Sequence, residues 1–244
     1  MKKLHLLIFL VLIPIFIFSQ SFGTIKYTGR VDTSKLEKKI DSLGEKQKIL
    51  KDALNKVLLD TKSVNYTLKF NKYESVFLKE VNPLEVKNIS FNLTELYGGK
   101  GKYYCNLKSK KLLRSTEAFG ENFLINQSLD SLKWVLTSET KTIGKYKCYK
   151  ATTSKKEKNS KGVFYKKIVA WYTPKINYPF GPKNYCNLPG LILELKINNF
   201  VFKATDILIN EEKIEVKKPT KGKKVTQEEF EKIGLQTTKE MFND

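Results

Sequence analysis

Histidine is almost missing from this chain. Among 244 residues there is one, His5, and it lies in the apolar stretch that opens the sequence. Without histidine, Ser-His-Asp and Cys-His mechanisms have no general base. The usual ligands of zinc and copper sites are missing as well. Cysteine is also scarce: Cys105, Cys148 and Cys186 are the only three, and none forms a CxxC pair. That spacing gives no support to a redox motif, and the odd count allows one bridge with one thiol left over. No phosphate loop, nucleophile elbow, helix-turn-helix, zinc finger or RNA-binding motif is legible. Acidic residues are outnumbered, 25 Asp and Glu against 45 Lys and Arg. Beyond the opening stretch, no apolar run is long enough to span a bilayer, which takes about 20 residues.

The opening stretch has its own logic. Lys2 and Lys3 precede an apolar run from Leu4 to Phe18, broken by Pro14, and Ser19-Gln20-Ser21 follows with small and polar side chains. This is the pattern of a cleaved signal peptide over residues 1–19. It predicts an exported protein, periplasmic or secreted, whose mature chain has no transmembrane span. Removal of Lys2 and Lys3 lowers the net charge from +20 to +18. Export argues against nucleic acid as the partner and favours anionic envelope components: lipid headgroups, lipopolysaccharide or an acidic protein face. Solvated lysines on ordinary surface are the alternative reading of the same charge.

Periodicity supplies the rest. Residues 23–31 read as a strand. Asp32-Thr33-Ser34 then offers a helix cap, with Glu37 placed for a capping box on Ser34. Leu36, Ile40, Leu43, Leu50, Leu54 and Val57 form one apolar stripe, with Gln47 and Gly44 as its weak points, so a single long helix over 34–58 is predicted to pack on its own sheet. From Ser63 the period changes to two. Strand-like runs follow at 64–70, 73–79, 102–107, 110–118, 122–126, 134–140, 145–153, 163–173 and 200–209. The polar run SKKEKNSKG, residues 154–162, reads as a hairpin loop, and KKPTKGKK, residues 217–224, as a linker. Thr226 and Glu229 then cap a short terminal helix. The expected fold class is α+β, a curved antiparallel sheet with a long N-terminal and a short C-terminal helix. One sheet domain over 20–216 is followed by a basic linker and helix over 217–244.

The most distinctive stretch is Asn187-Leu188-Pro189-Gly190-Leu191-Ile192, running on to Leu195. Proline followed by glycine fits a type II turn, with positive φ at Gly190. Leu191, Leu193, Leu195 and Ile197 then point to one face of a strand. On that reading Gly190→Val costs more than ~1 kcal/mol, because a β-branched residue resists positive φ. The same stretch resembles the signature of the GLPGLI family, with Asn187 where a glycine is usual. Trp134 to Thr137 with Glu139, Ile143 to Ala151, and Ala170 to Pro174 followed by Gly181-Pro182 extend the resemblance over about residues 130 to 200. The resemblance implies an exported protein of Bacteroidetes-type bacteria, without an established activity and often encoded near outer-membrane transporters. By analogy of fold it also implies a likeness to periplasmic lipoprotein carriers.

Two functions follow as expectations. One is a non-enzymatic binding or carrier module for an apolar or peptide ligand such as a lipid chain, with Trp134, Tyr146, Trp171 and Tyr172 as candidate ligand-facing aromatics; ordinary core is the other reading of these four. The second is an accessory protein docking on an outer-membrane transporter or another envelope protein through the amphipathic helix and basic surface. No catalytic residue, metal ligand or cofactor is assigned. Counting alone leaves three cysteine pairings open. The resemblance places Cys148 in a family-like strand and leaves Cys105 and Cys186 outside the strongest motif positions, implying a Cys105–Cys186 bridge with Cys148 free. Its loop of about 80 residues is worth ~4 kcal/mol on the chain-entropy view.

Overall fold

The computed structural model describes residues 22–59, 61–80, 93–159, 162–210 and 214–242. The expected leader, residues 1–19, lies outside them. Strand β1 (Phe22–Val31) leads into α1 (Ser34–Asp41), a 3-10 turn (Glu45–Gln47) and α2 (Lys48–Leu59). Then come β2 (Val64–Phe70), β3 (Glu74–Lys79), α3 (Leu93–Gly98), β4 (Lys102–Asn106), β5 (Lys111–Ala118) and β6 (Glu121–Ser128). The second half holds β7 (Val135–Ile143), β8 (Tyr146–Asn159), β9 (Gly162–Thr173), β10 (Leu191–Ile197), β11 (Phe200–Asn210), β12 (Lys223–Thr226) and α4 (Gln227–Phe242).

Among the described residues, twelve strands form one sheet in the order β12-β6-β5-β4-β3-β2-β1-β11-β10-β9-β8-β7. All neighbours but one pair are antiparallel, some through short hairpins, and β1 joins the two halves by pairing with both β2 and β11. The one parallel pair is β12 on β6. The sheet coils, because α4 packs on β6 and β12 near one edge and also touches β8 near the other. Lys155 of β8 and Lys166 of β9 are close enough to Tyr103 of β4 to act on its phenol electrostatically. The main core fills the inside, with Ile25, Tyr66, Leu68, Phe70, Phe77, Leu195 and Phe202 nearly or fully buried. Tyr66 stacks on Phe77 at 5.3 Å, and Phe202 meets both rings edge-on.

This architecture corrects the α+β expectation. The protein is one large sheet with short helices, and no long N-terminal helix is present. Gly44 is the physical reason. It takes an extended backbone (φ −78°, ψ 173°), and the predicted helix breaks there into α1, a single 3-10 turn and α2. The cap also differs: Thr33, not Ser34, donates its hydroxyl to Glu37 at 2.6 Å, while Ser34 bonds Asp32. The stripe does not pack on the sheet as expected. Ile40 is buried, but α2 has no buried residue. Two polar segments also take strand structure. Most of the expected loop at 154–162 belongs to β8 and β9, and the end of the expected linker is the start of β12. The terminal helix has its capping box: Thr226 N–H donates to Glu229 Oε2 at 2.7 Å, and Glu229 N–H to Thr226 Oγ1 at 3.2 Å.

Candidate functional site

Residues 174–190, between β9 and β10, carry the densest run of unusual backbone in the described chain. Lys183, Asn184, Asn187 and Gly190 all have positive φ, at 53°, 63°, 68° and 142°. Irregular backbone is tolerated in a buried position only when its polar groups find partners. Here the loop bonds to itself and to β10: Asn187 N–H to Pro179 O at 2.8 Å, Leu191 N–H to Ile176 O at 3.0 Å, and Ile192 N–H to Phe180 O at 3.0 Å. Its side chains then enter the coiled sheet as a plug. Ile176, Phe180, Tyr185, Cys186 and Leu188 are buried, and Phe180 and Tyr178 lie 5.7 and 4.7 Å from the Phe70 ring. Asn184 Nδ2 donates to Leu113 O of β5 at 2.9 Å, so the loop reaches across to the other half of the sheet. Beside it, the Tyr27 hydroxyl donates to Ile192 O at 2.6 Å, and burial pushes that phenol well above its ordinary range.

The NLPGLI stretch closes this plug. Gly190 has the expected positive φ, but the bonding is not that of a type II turn. Leu191 N–H goes to Ile176 O, and Gly190 N–H goes back to Leu188 O at 2.7 Å. A Cβ at Gly190 would stand 2.1 Å from Thr173 O, so close backbone approach as well as φ demands glycine. Asn187 sits at φ 68°, and asparagine is among the non-glycine residues that tolerate this region best. That accounts for asparagine in place of glycine. A bulge between Ile192 and Glu194 breaks the simple alternation expected for the strand, and Leu191, Ile192 and Leu193 are all fully buried.

The four candidate aromatics do not line one surface. Trp134 donates its indole N–H to Cys186 O at 2.9 Å and meets Tyr185 edge-on at 6.2 Å, so it braces the plug. Tyr146 is partly buried against the core. Trp171 and Tyr172 are neighbours on β9 and so face opposite sides of the sheet. Trp171 lies under the Lys141 ammonium at 4.4 Å, and Lys141 pairs with Glu194 at 2.7 Å. Tyr172 is buried beside Tyr149. Sequence reasoning missed Tyr178, Phe180 and Tyr185. The signal available was aromatic density without periodicity, which reads as loop.

The three cysteines are buried thiols. The sulfurs of Cys105 and Cys186 stand 3.2 Å apart, on β4 and the plug respectively. Cys148 is separate, its Sγ donating to Tyr146 O at 3.6 Å, and burial pushes its thiol up to about 11. Among the described residues, no three His, Cys, Asp or Glu side chains converge as metal ligands would. The best-formed polar cluster joins Glu74, Tyr104, Asn71 and Asn106. Glu74 accepts from the Tyr104 hydroxyl and from both amides, which holds its carboxyl below the usual range. Burial, followed by that hydrogen bond, pushes Tyr104 up to about 12. These bonds tie β3 to β4.

Part of the exposed apolar surface lies at the end of the sheet where α1 departs. Lys196 pairs there with Asp32, and Asn198 N–H donates to Lys167 O at 3.1 Å. Past this point β8 and β9 continue as a two-stranded arm. Val163, Phe164 and Tyr165 are exposed on it, and so are Lys156 and Lys167. Leu50, Leu54 and Val57 follow one another on one face of α2. Ile49 is 89% and Leu59 75% exposed, and the helix also carries Lys48, Lys51 and Lys56. No helix among the described residues is long and apolar enough to cross a membrane.

Comparison with known proteins finds one family model over part of the chain and a likeness of fold. A family model described as "Protein of unknown function (Porph_ging)" matches residues 134–167 and 154–194. That stretch carries β7 to β10 and the plug. No curated protein matches the chain. Two crystal forms of PNGF-II are similar in structure. In space group C2 the TM-score is 0.51 at 17% identity, covering 80% of this chain and 28% of that one. In P21 it is 0.52 at 16%, covering 88% and 33%. The chain therefore spans a third or less of the length of those proteins, and at such identity the likeness is one of fold.

Proposed function

We propose that this is an exported, non-enzymatic envelope protein of the GLPGLI type that acts by docking on an acidic face of another envelope protein. The observation that carries the reading is the inversion between plug and helix. Of the aromatics that a carrier would turn toward a ligand, Trp134 is engaged with the plug, Tyr172 with Tyr149 and Trp171 with lysine. Helix α2, by contrast, has no buried residue: among its lysines Ile49 and Leu59 are 89% and 75% exposed, and Leu50 and Val57 are 43% and 39% exposed. A basic amphipathic helix and an exposed, lysine-bearing strand arm suit a partner with apolar grooves and negative charge. An outer-membrane transporter or a neighbouring envelope protein fits that description. A native mass spectrum of the protein from its own periplasm tests the reading. A protein partner at fixed stoichiometry, lost when Lys48, Lys51 and Lys56 are changed together to glutamate, is the expected result. A co-purifying lipid or peptide without a protein partner would instead favour a carrier.

A further inference from the structure

We propose that Cys105 and Cys186 form a disulfide that latches the plug, residues 174–190, onto strand β4. This goes beyond the docking reading and does not depend on it. The two sulfurs are 3.2 Å apart, so a bond of about 2.05 Å asks them to close by only roughly 1 Å. Both thiols are buried, at 0% and 1% exposure, and no other cysteine competes in place, since Cys148 bonds Tyr146 O elsewhere. The flanking geometry presents Cys186 to β4. Asn184 is bonded to Leu113 O, Trp134 holds the Cys186 carbonyl, and the 182–184 turn rests on β3 and β4. Cys105 in turn is fixed in the ladder between Ser75 and Leu112. The bridge closes 81 residues of sequence separation and ties β4 to the loop between β9 and β10, which belong to the other half of the sheet.

The chemistry needs an oxidant, and the class required is a small disulfide such as oxidised glutathione. The Cys105 thiolate attacks one sulfur of that disulfide and releases one small thiolate. The Cys186 thiolate then attacks the Cys105 sulfur of the mixed disulfide and releases the second. Two protein thiols are oxidised, one small disulfide is reduced to two thiols, and the two protons pass to the leaving thiolates. In the folded protein Cys186 is out of reach of solvent, and burial holds its thiol well above the ordinary range. Exchange needs an accessible thiolate. The bridge therefore forms while the loop is docking, and once formed it is shielded from reductants.

The test uses the full chain, refolded with and without a glutathione redox buffer and alkylated after denaturation. The expected free thiol count falls from three to one, the mass drops by two hydrogen atoms, and peptide mapping joins the Cys105 and Cys186 peptides. The Cys148→Ser chain keeps the pair and must lose both remaining thiols. Reduction of the bridge by dithiothreitol should be slower in the native protein than in urea by on the order of 100-fold, because it waits for local opening. Two free thiols in oxidised, folded Cys148→Ser, or a bridge that includes Cys148 in the parent chain, overturns the pairing. Reduction as fast in the native state as in urea overturns the latch.

Discussion

The plug and α2 invert each other. The plug has no periodicity, two prolines within Pro179–Pro182 and four residues with positive φ, yet Phe180 within it is fully buried. Helix α2 has a regular apolar stripe and no fully buried residue. Periodicity reports that a segment has an apolar side; it does not report what covers that side. The plug gets its burial from tertiary closure, as backbone groups pair within the loop and aromatics meet Phe70 and Trp134. Helix α2 lacks that closure, because Gly44 swings it away from the line of α1.

The sharpest way to break this comparison is to truncate the plug. Phe180→Ala removes a fully buried ring beside Phe70 and is expected to cost ~3–5 kcal/mol, read from urea unfolding. A loss under about 1 kcal/mol would mean that the plug is not core. Gly190→Val follows, at about 3 kcal/mol or more. It sets a Cβ against Thr173 O and forces a β-branched residue to φ 142°. Gly190→Ala should lose nearly as much, since the clash begins at Cβ; a mild alanine variant would show that φ alone set the requirement.

How much of this was legible follows from the same contrast. Strands β2, β9 and β10 could be read because alternating or continuous apolar runs ended at turn signals. The outer part of β8 could not. Residues 154–159 are polar throughout and read as loop, although the β9 residues opposite them read as strand. Strand β12 is four residues long and mostly exposed, and its lysines read as linker. The family-like stretch was legible as a motif and Gly190 as a positive-φ position, but the contact with Thr173 that makes glycine necessary is tertiary. The lack of a buried residue in α2 was hidden for the opposite reason: its pattern is also that of a helix packed on a sheet.

A smaller effect probes the junction between the two regions. Asp32 follows β1, and its carboxyl is held at about 2, first by the Lys196 hydrogen bond and then by Ser34. The folded value lies below the ordinary carboxylate value, so the stabilisation is present above about pH 4 and is lost as pH falls toward 2. The pair is partly exposed and screened, which limits it to about 0.5–1 kcal/mol. Asp32→Asn should remove that part of the acid dependence. Unfolding midpoints of the two proteins should differ at pH 6 and converge near pH 2, while a constant gap would assign the effect to something other than this ionisation.

The smallest expected effect on stability belongs to α2, and it separates packing from function. Ile49 is 89% exposed and Leu50 43% exposed, on a helix without buried residues. Changing both to serine removes surface that is almost all in water for Ile49 and nearly half in water for Leu50, so the hydrophobic loss is small. Serine's lower helix propensity accounts for a few tenths of a kcal/mol at each position. The unfolding midpoint in urea should therefore move by less than the equivalent of about 1 kcal/mol. Association with an envelope partner should fall sharply in the same variant, because an apolar anchor seated in a groove carries a large share of docking energy. Loss of fold stability without loss of association would place α2 with the plug as core, and the contrast between the two segments would collapse. Loss of association with the fold intact leaves α2 as the surface the protein uses.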